Sequence, residues 1–178
     1  MTTIIRYRPD NFSIRPAEPE DASLILDLIK GLAEYERMSG DVVATEDLLR
    51  KWLFEEKKAE VIIGEAAGDP VGFALFFSNF STFLGRPGIY LEDLYVIPKA
   101  RGNGYGTLLL QHLARLVIER DYGRLEWSCL DWNKPSINFY LSLGAVQMDE
   151  WTGYRLTGDS LRALADDDGG DSDGMDVN

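Results

Sequence analysis

Two acidic residues lie shortly before a glycine-rich segment. Carboxylates and glycine-rich turns are both common in sites that bind ligands or catalyse reactions. Glu92 and Asp93 interrupt an apolar run, and the segment Arg101-Gly102-Asn103-Gly104-Tyr105-Gly106 follows it. Glycines between a strand and a helix let backbone N–H groups approach phosphate oxygens, and the N-terminus of the following helix adds partial positive charge. The pattern therefore predicts a site for a phosphate-bearing ligand, with two carboxylates close upstream.

The spacing of the glycines excludes two common phosphate motifs. A Walker A loop would require Gly-Lys-Ser/Thr at its end, but Thr107 and Leu108 follow Gly106. A dinucleotide fingerprint would require glycine where Thr107 stands. The pattern that remains is Arg101-x-x-Gly104-x-Gly106.

The elements around this segment alternate between strand and helix patterns. Apolar residues at helical spacing predict helices over residues 19–36, 45–54, 105–120 and 135–144. Strand-like runs predict seven strands, at residues 12–18, 59–66, 71–80, 88–98, 124–130, 145–148 and 153–158. The helix after the glycines implies a right-handed parallel crossover within a mostly antiparallel sheet. The predicted fold class is α+β, or mixed α/β.

Composition and charge narrow the classes of function. The chain of 178 residues has a net charge of −12, and the six aspartates of residues 166–178 account for half of it. An acidic domain disfavours nucleic-acid binding and favours cationic partners. No apolar run reaches the length of a membrane span, the N-terminus lacks a secretory signal, and the single Cys129 favours a reducing cytoplasm. We expect one domain over residues 1–165 and a disordered acidic tail over residues 166–178.

Four segments together resemble the GNAT superfamily of N-acetyltransferases, and within it the diamine acetyltransferases, which include spermidine/spermine and thialysine enzymes. These segments are LIKGLAEYERM, YLEDLYVIP, ARGNGYG and DWNKPSINFY. Arg101-x-x-Gly104-x-Gly106 resembles the acyl-CoA pyrophosphate loop, and Leu130–Ala145 is similar to the motif whose helix start contacts the CoA arm. The resemblance covers about Ile14 to Leu156 and implies acetyl-CoA as co-substrate, with no metal.

The resemblance also implies the residues of the site. Tyr140 matches the general acid beside the CoA sulfur, and Glu92 matches the residue that deprotonates the amine, through water. Tyr35, Glu36, Glu92 and Asp93 match residues that contact the acceptor. The positions that match cofactor contacts are Leu94, Tyr95, Val96, Arg101, Gly102, Asn103, Gly104, Tyr105, Gly106, Thr107, Asn133, Lys134, Pro135, Ser136 and Tyr140. In a regular strand Glu92 and Asp93 would point to opposite faces, so they share one task only if a bulge intervenes.

The expected reaction is acetyl transfer to a primary amine of a small cationic acceptor, by direct attack in a ternary complex. The resemblance does not fix the identity of the acceptor. Phe83 and Tyr154 stand where the polyamine enzymes have tryptophan, and Leu130–Asn133 is more similar to the thialysine branch. Acetylation of a protein or peptide amine is an alternative, and a non-catalytic acyl-CoA sensor is another. By resemblance, we expect a homodimer whose sites borrow residues from the partner.

Overall fold

The structure, a computed structural model, describes residues 5–7 and 11–166. Its chain divides into two compact units, one ending at Leu130 and the other beginning at Asp131. The predicted acidic tail lies outside the described residues except for Asp166, which ends the last helix. None of the helices in the described ranges combines the length and the apolarity that crossing a membrane requires.

The first unit is built on one sheet, whose six strands lie side by side in chain order within the described ranges. They are β1 (Ile5–Tyr7), β2 (Phe12–Pro16), β3 (Glu60–Ala66), β4 (Asp69–Ser81), β5 (Arg86–Val96) and β6 (Leu125–Trp127). Neighbours are antiparallel except β5 and β6, which are parallel. The predicted antiparallel sheet with one parallel crossover is therefore confirmed. The additional strand β1 lies in a segment for which the sequence predicts no element.

The described part of this unit contains three α-helices. They are α1 (Ala22–Tyr35), preceded by the 3₁₀ turn Pro19–Asp21, α2 (Glu46–Leu49), continued by a π-helical turn over Arg50–Glu55, and α3 (Tyr105–Glu119). Thr45 caps α2, since its Oγ1 accepts a hydrogen bond from the N–H of Leu48 at 3.2 Å. Each of these three helices was predicted, whereas the π-helical geometry of the turn after α2 was not.

The sheet is covered on both faces, by α1 on one side and α3 on the other. Phe73 of β4 and Tyr95 of β5 are buried in a cluster with Ile25, Leu28 and other apolar residues of α1. The opposite face carries Gly64, where an added Cβ would lie 3.6 Å from Leu109 of α3. Because paired residues of neighbouring strands lie on the same face of a sheet, the pairing of β5 with β4 assigns a face to each paired residue of β5.

The second unit contains two helices among its described residues, α4 (Lys134–Ser142) and α5 (Gly158–Asp166). The predicted helix at 135–144 is confirmed, with Gly144 past its end at a φ of 86°. The strands predicted at 145–148 and 153–158 are wrong, because residues 145–148 have no regular structure and α5 begins at Gly158. An extended segment becomes a strand only by pairing with a neighbour, and this unit contains no strand within its described part.

Candidate active site

The glycine-rich segment forms the junction between β5 and α3. Gly102 and Gly104 have φ values of 82° and 79°, in the left-handed region that glycine adopts without strain. An added Cβ at either position would meet no atom within 4 Å, so the backbone conformation, and not crowding, requires glycine there. Asn103 fixes the turn by donating from Nδ2 to the carbonyl oxygen of Ala100 at 3.0 Å. The loop is therefore open to solvent and shaped by its two left-handed residues.

The N-terminus of α3 lies directly after this loop. Its N-cap is Gly104, which has no side chain to accept a hydrogen bond from the first N–H groups of the helix. Gly106 and Thr107 belong to the first turn of α3 and not to the loop. The side chain of Tyr105 is buried, with its ring stacked on Phe12 at a centroid distance of 4.5 Å. Tyr105 therefore anchors the helix, and only its main chain remains for a ligand.

A β-bulge interrupts β5 at its two acidic residues. Leu91 pairs with Phe76 and Asp93 pairs with Leu75, so Glu92 has no residue opposite it on β4. The extra residue reverses the alternation of side chains, because Asp93 and Tyr95 face α1 whereas Leu91 lies opposite Phe76 on the α3 face. The β-bulge that Glu92 and Asp93 would need in order to serve one site is therefore present.

Asp93 at this bulge is affected by the charges of two other carboxylates. Burial raises the pKa of Asp93 to about 6, and the negative charges of Glu92 and Glu36 add to the effect. Burial also raises the pKa of Glu36, which follows the last residue of α1. Glu92 is exposed, whereas Asp93 and Glu36 are half-buried. The described residues contain no group of three His, Cys, Asp or Glu side chains arranged to hold a metal ion. The arrangement is suited to binding an organic cation and to accepting a proton from it.

Arg101 contacts two tyrosine rings, that of Tyr35, which precedes Glu36, and that of Tyr95, which lies on the same face of β5 as Asp93. The guanidinium carbon of Arg101 is 4.5 Å from the centre of the Tyr35 ring and 5.6 Å from that of Tyr95. Its Nε donates to the carbonyl oxygen of Val96 at 2.9 Å. Gly31 of α1 makes room for Tyr95, because an added Cβ there would lie 2.8 Å from its hydroxyl oxygen. Arg101, predicted at the phosphate loop, thus lies against Tyr35, which was predicted at the acceptor.

The end of β5 has one edge without a strand partner in the described part of the chain. The parallel ladder with β6 joins Ile89–Leu91 to Leu125–Trp127 and ends there, while β5 continues to Val96. On its other edge the segment Asp93–Val96 pairs with β4. Leu94, Tyr95 and Val96 therefore form a strand end along which an extended ligand arm could hydrogen-bond.

The remaining predicted residues lie in the second unit, on α4. Asn133 is buried and caps the helix, since its Oδ1 accepts from the N–H of Ser136 at 3.3 Å. Lys134 and Pro135 occupy the first turn. Tyr140 is half-buried, and its ring centre lies 5.3 Å from that of Phe139. Because α4 belongs to the second unit, which is described separately from the first, proton donation by Tyr140 stays a prediction.

Sequence patterns missed three features of the site in the first unit. They did not single out Asp93 as the carboxylate with the raised pKa, and they assigned Tyr95 a backbone role only. The two adjacent acids raised the question of a bulge, but its presence depends on the pairing of β5 with β4, which the sequence does not show. No sequence pattern indicated the contact between Arg101 and Tyr35, because those residues are far apart along the chain.

Comparison with known proteins identifies the family. Residues 26–145 match the model described as Acetyltransferase (GNAT) family. A thialysine N-epsilon-acetyltransferase of Bos taurus is 37% identical over 166 residues, which cover 85% of this chain and 96% of the relative. An L-ornithine N5-acetyltransferase of Arabidopsis thaliana is 32% identical, with 85% and 86% covered. Among solved structures, an integron cassette protein from the mobile metagenome of V. cholerae superposes with a TM-score of 0.74 at 28% identity, with 87% of this chain and 98% of the other covered.

Proposed function

Because the chain belongs to the GNAT family of acetyltransferases, we propose that it transfers the acetyl group of acetyl-CoA to a primary amine of a small cationic acceptor. The transfer proceeds by direct attack in a ternary complex. The proposed acceptors are thialysine-like or ornithine-like amino acids and diamines or polyamines. The observation that carries the choice of a cation is the set of carboxylates Glu36, Glu92 and Asp93, in which Glu36 directly follows Tyr35 at the end of α1.

The acetyl-CoA site is proposed at the junction of β5 and α3. The uncapped N–H groups at the start of α3 are oriented to bind pyrophosphate oxygens, and the positive end of the helix dipole favours them. The main chain of Leu94–Val96 offers hydrogen bonds to the pantetheine arm along the unpaired edge of β5. An N–H there would also stabilise the oxyanion that forms on the thioester carbonyl. Asn133 to Ser136 are the proposed contacts from α4.

The chemistry requires that the ammonium group of the acceptor lose a proton. An alkylammonium with a pKa of about 10.4 is neutral in about one molecule in a few thousand at pH 7. We assign the removal of the proton, through water, to Glu92 at the carboxylate cluster. The amine nitrogen then attacks the carbonyl carbon, the C–S bond breaks, and Tyr140 donates a proton to the departing thiolate. The positively charged nitrogen loses its second proton, which returns through water to the Tyr140 phenolate. Each such transfer accelerates the reaction by about 10² to 10⁴-fold.

The oligomeric state of the protein and its cellular compartment are also proposed. The chain is proposed to form a homodimer that acts in the cytoplasm, where its single Cys129 would stay reduced. Gel filtration with light scattering would test the first of these: a mass of about 40 kDa, twice that of the 20.0 kDa chain, is expected for the dimer.

The decisive experiment measures thiol release from acetyl-CoA with a panel of amines: thialysine, ornithine, lysine, putrescine, spermidine and a lysine peptide. We expect one small amine to give the highest kcat/KM. Tyr140→Phe should lower kcat about 100-fold or more while leaving CoA affinity unchanged. Preference for the lysine peptide would favour acetylation of protein amines, and tight CoA binding without turnover would favour a sensor. Absence of CoA binding would refute the proposed cofactor site.

A further inference from the structure

A cavity of about 480 Å³ lies beside the start of β3, and the described residues that line it all belong to the first unit. Its walls come from α3, β3, β4, the end of β2 and the π-helical turn over Arg50–Glu55. Small-molecule sites usually have volumes of about 300 to 1,000 Å³, and π-helical turns are frequent at functional sites. None of these lining residues is assigned to the candidate active site. The cavity is therefore a second candidate site, distinct from the first.

The walls of this cavity are mainly apolar. Ile62 of β3 and Phe76 of β4 are buried on the face of the sheet that α3 covers, and Leu116 is contributed by α3 itself. The π-helical turn adds Leu53 and Phe54. Removing apolar surface from water is favourable, so these walls suit a ligand with an apolar body.

One polar side chain in these walls has an unmet hydrogen bond. His112, in the middle of α3, is only 8% exposed, and its Nδ1 is buried without a hydrogen-bond partner among the described residues. Burial, followed by the charge of Arg115, lowers the pKa of His112; Glu119 opposes this shift and Arg120 adds to it. The imidazole is therefore neutral at pH 7.5, and a nearby negative charge would favour its protonated form.

The charged residues of the cavity leave a positive charge uncompensated. Glu60, the one carboxylate among its described lining residues, accepts from both terminal nitrogens of Arg120, at 2.6 Å and 2.7 Å. Lys57 is exposed and also lines the cavity, and no carboxylate in the described part of the chain comes within ion-pair distance of it. The charges therefore favour a ligand with an acidic group over an amine.

We propose that this cavity binds an amphipathic monocarboxylate, with its hydrocarbon body between the apolar walls and its carboxylate hydrogen-bonded to His112 and attracted by Lys57. The dipole of α3 does not oppose this, because it acts within the last turn of a helix, and His112 lies two turns before the last residue, Glu119. The inference uses neither the proposed cofactor site nor the proposed acceptor site, so it is independent of the proposed function.

Thermodynamic linkage gives the expected size of the effect. A carboxylate beside the imidazole should raise the pKa of His112 by about one unit. Because the protonated ring then binds the ligand better than the neutral ring does, the affinity should be about two- to fivefold higher at pH 6 than at pH 8. The exposed charge of Lys57 should contribute about two- to fourfold to the affinity at either pH.

The test follows one imidazole by NMR, since His112 is the single histidine of the 178 residues. Octanoate is titrated into the tag-free protein, and octan-1-ol and octylammonium, which have the same hydrocarbon chain, serve as comparison ligands. We expect octanoate to shift the imidazole signals and to raise the pKa of His112 by about one unit, and neither comparison ligand to raise it. Calorimetry at pH 6 and pH 8 measures the affinities, and His112→Asn should abolish their difference.

Lys57→Gln should weaken octanoate binding about two- to fourfold. Lys58→Gln is the matched control, because it removes the same charge from the neighbouring lysine, which lies 4.0 Å from Glu56 and does not line the cavity. Imidazole signals that octanoate leaves unchanged, an unchanged pKa of His112, or equal losses in the two lysine variants would each overturn the inference. The measurements on the wild type and on the surface lysines decide the matter even if His112→Asn does not fold.

Discussion

Replacing Asp93 with asparagine should stabilise the protein at neutral pH while weakening acceptor binding. Asp93 is held at the bulge of β5 among two other carboxylates and under α1. Burial and like charges make its ionised form unfavourable, and asparagine removes the charge with almost no change in shape. The same charge is what a cationic acceptor would bind, so stability and function are opposed at this residue.

The size of the gain follows from the pKa of the carboxyl. A group with a pKa of 3.8 when unfolded and about 6 when folded is protonated more readily in the native state. Stability therefore falls as pH rises through this window, and at pH 7.5 the native protein has lost up to about 3 kcal/mol relative to pH 3. Asp93→Asn should recover most of this at pH 7.5 and about half as much at pH 5.

Urea unfolding monitored by tryptophan fluorescence, at pH 7.5 and pH 5, measures both values. Asp27→Asn serves as the matched control, because Asp27 is an exposed carboxylate on α1 and its replacement changes net charge equally. We expect no comparable gain from the control. Asp93→Asn protein that is less stable than the wild type at pH 7.5, or a gain that is equal at both pH values, would refute the account of the carboxylate cluster.

Three further perturbations test separate parts of the site. Glu36→Gln removes a like charge from Asp93 and leaves the proposed base in place, so the acidic limb of kcat/KM for the amine, expected near pH 6 in the wild type, should move to lower pH; an unchanged limb would exclude Asp93 as the titrating group. Gly104→Ala should cost about 1 to 2 kcal/mol in urea unfolding and weaken CoA binding, because its φ is 79° and its surroundings are open; Gly40→Ala, also in open surroundings, is the control. Tyr35→Leu should raise the KM for the amine about two- to fivefold, and Tyr35→Phe should not, since only leucine removes the aromatic face; equal effects would argue against a cation–π contact.

Local patterns predicted most of the first unit. Helical spacing from Leu24 to Tyr35 corresponds to α1, and the glycines after Pro98 correspond to the loop before α3. These predictions succeeded because each rests on neighbouring residues alone: an apolar stripe on one helix face, or glycine where φ is positive. The cap by Thr45 was predictable for the same reason.

The features that could not be predicted depend on residues distant in the chain. Strands at 145–148 and 153–158 were expected from their composition, but strand formation requires a partner edge, which composition does not supply. The bulge at Glu92 depends on how β4 pairs with β5, and the position of Arg101 depends on α1 lying beside that strand. The sequence therefore indicated which residues could form the site, whereas their faces and contacts followed from tertiary structure.

One strand connects the parts of the candidate site in the first unit. The bulge turns Asp93 and Tyr95 toward α1, the edge beyond Leu91 stays without a partner in the described ranges, and the chain then enters the glycine loop. A cofactor bound along this edge and at this loop would contact the same strand whose side chains face the acceptor. Arg101 joins the two ends, since it heads the loop while its guanidinium lies on Tyr35. The cofactor and acceptor sites that we propose therefore share one strand and the loop that follows it.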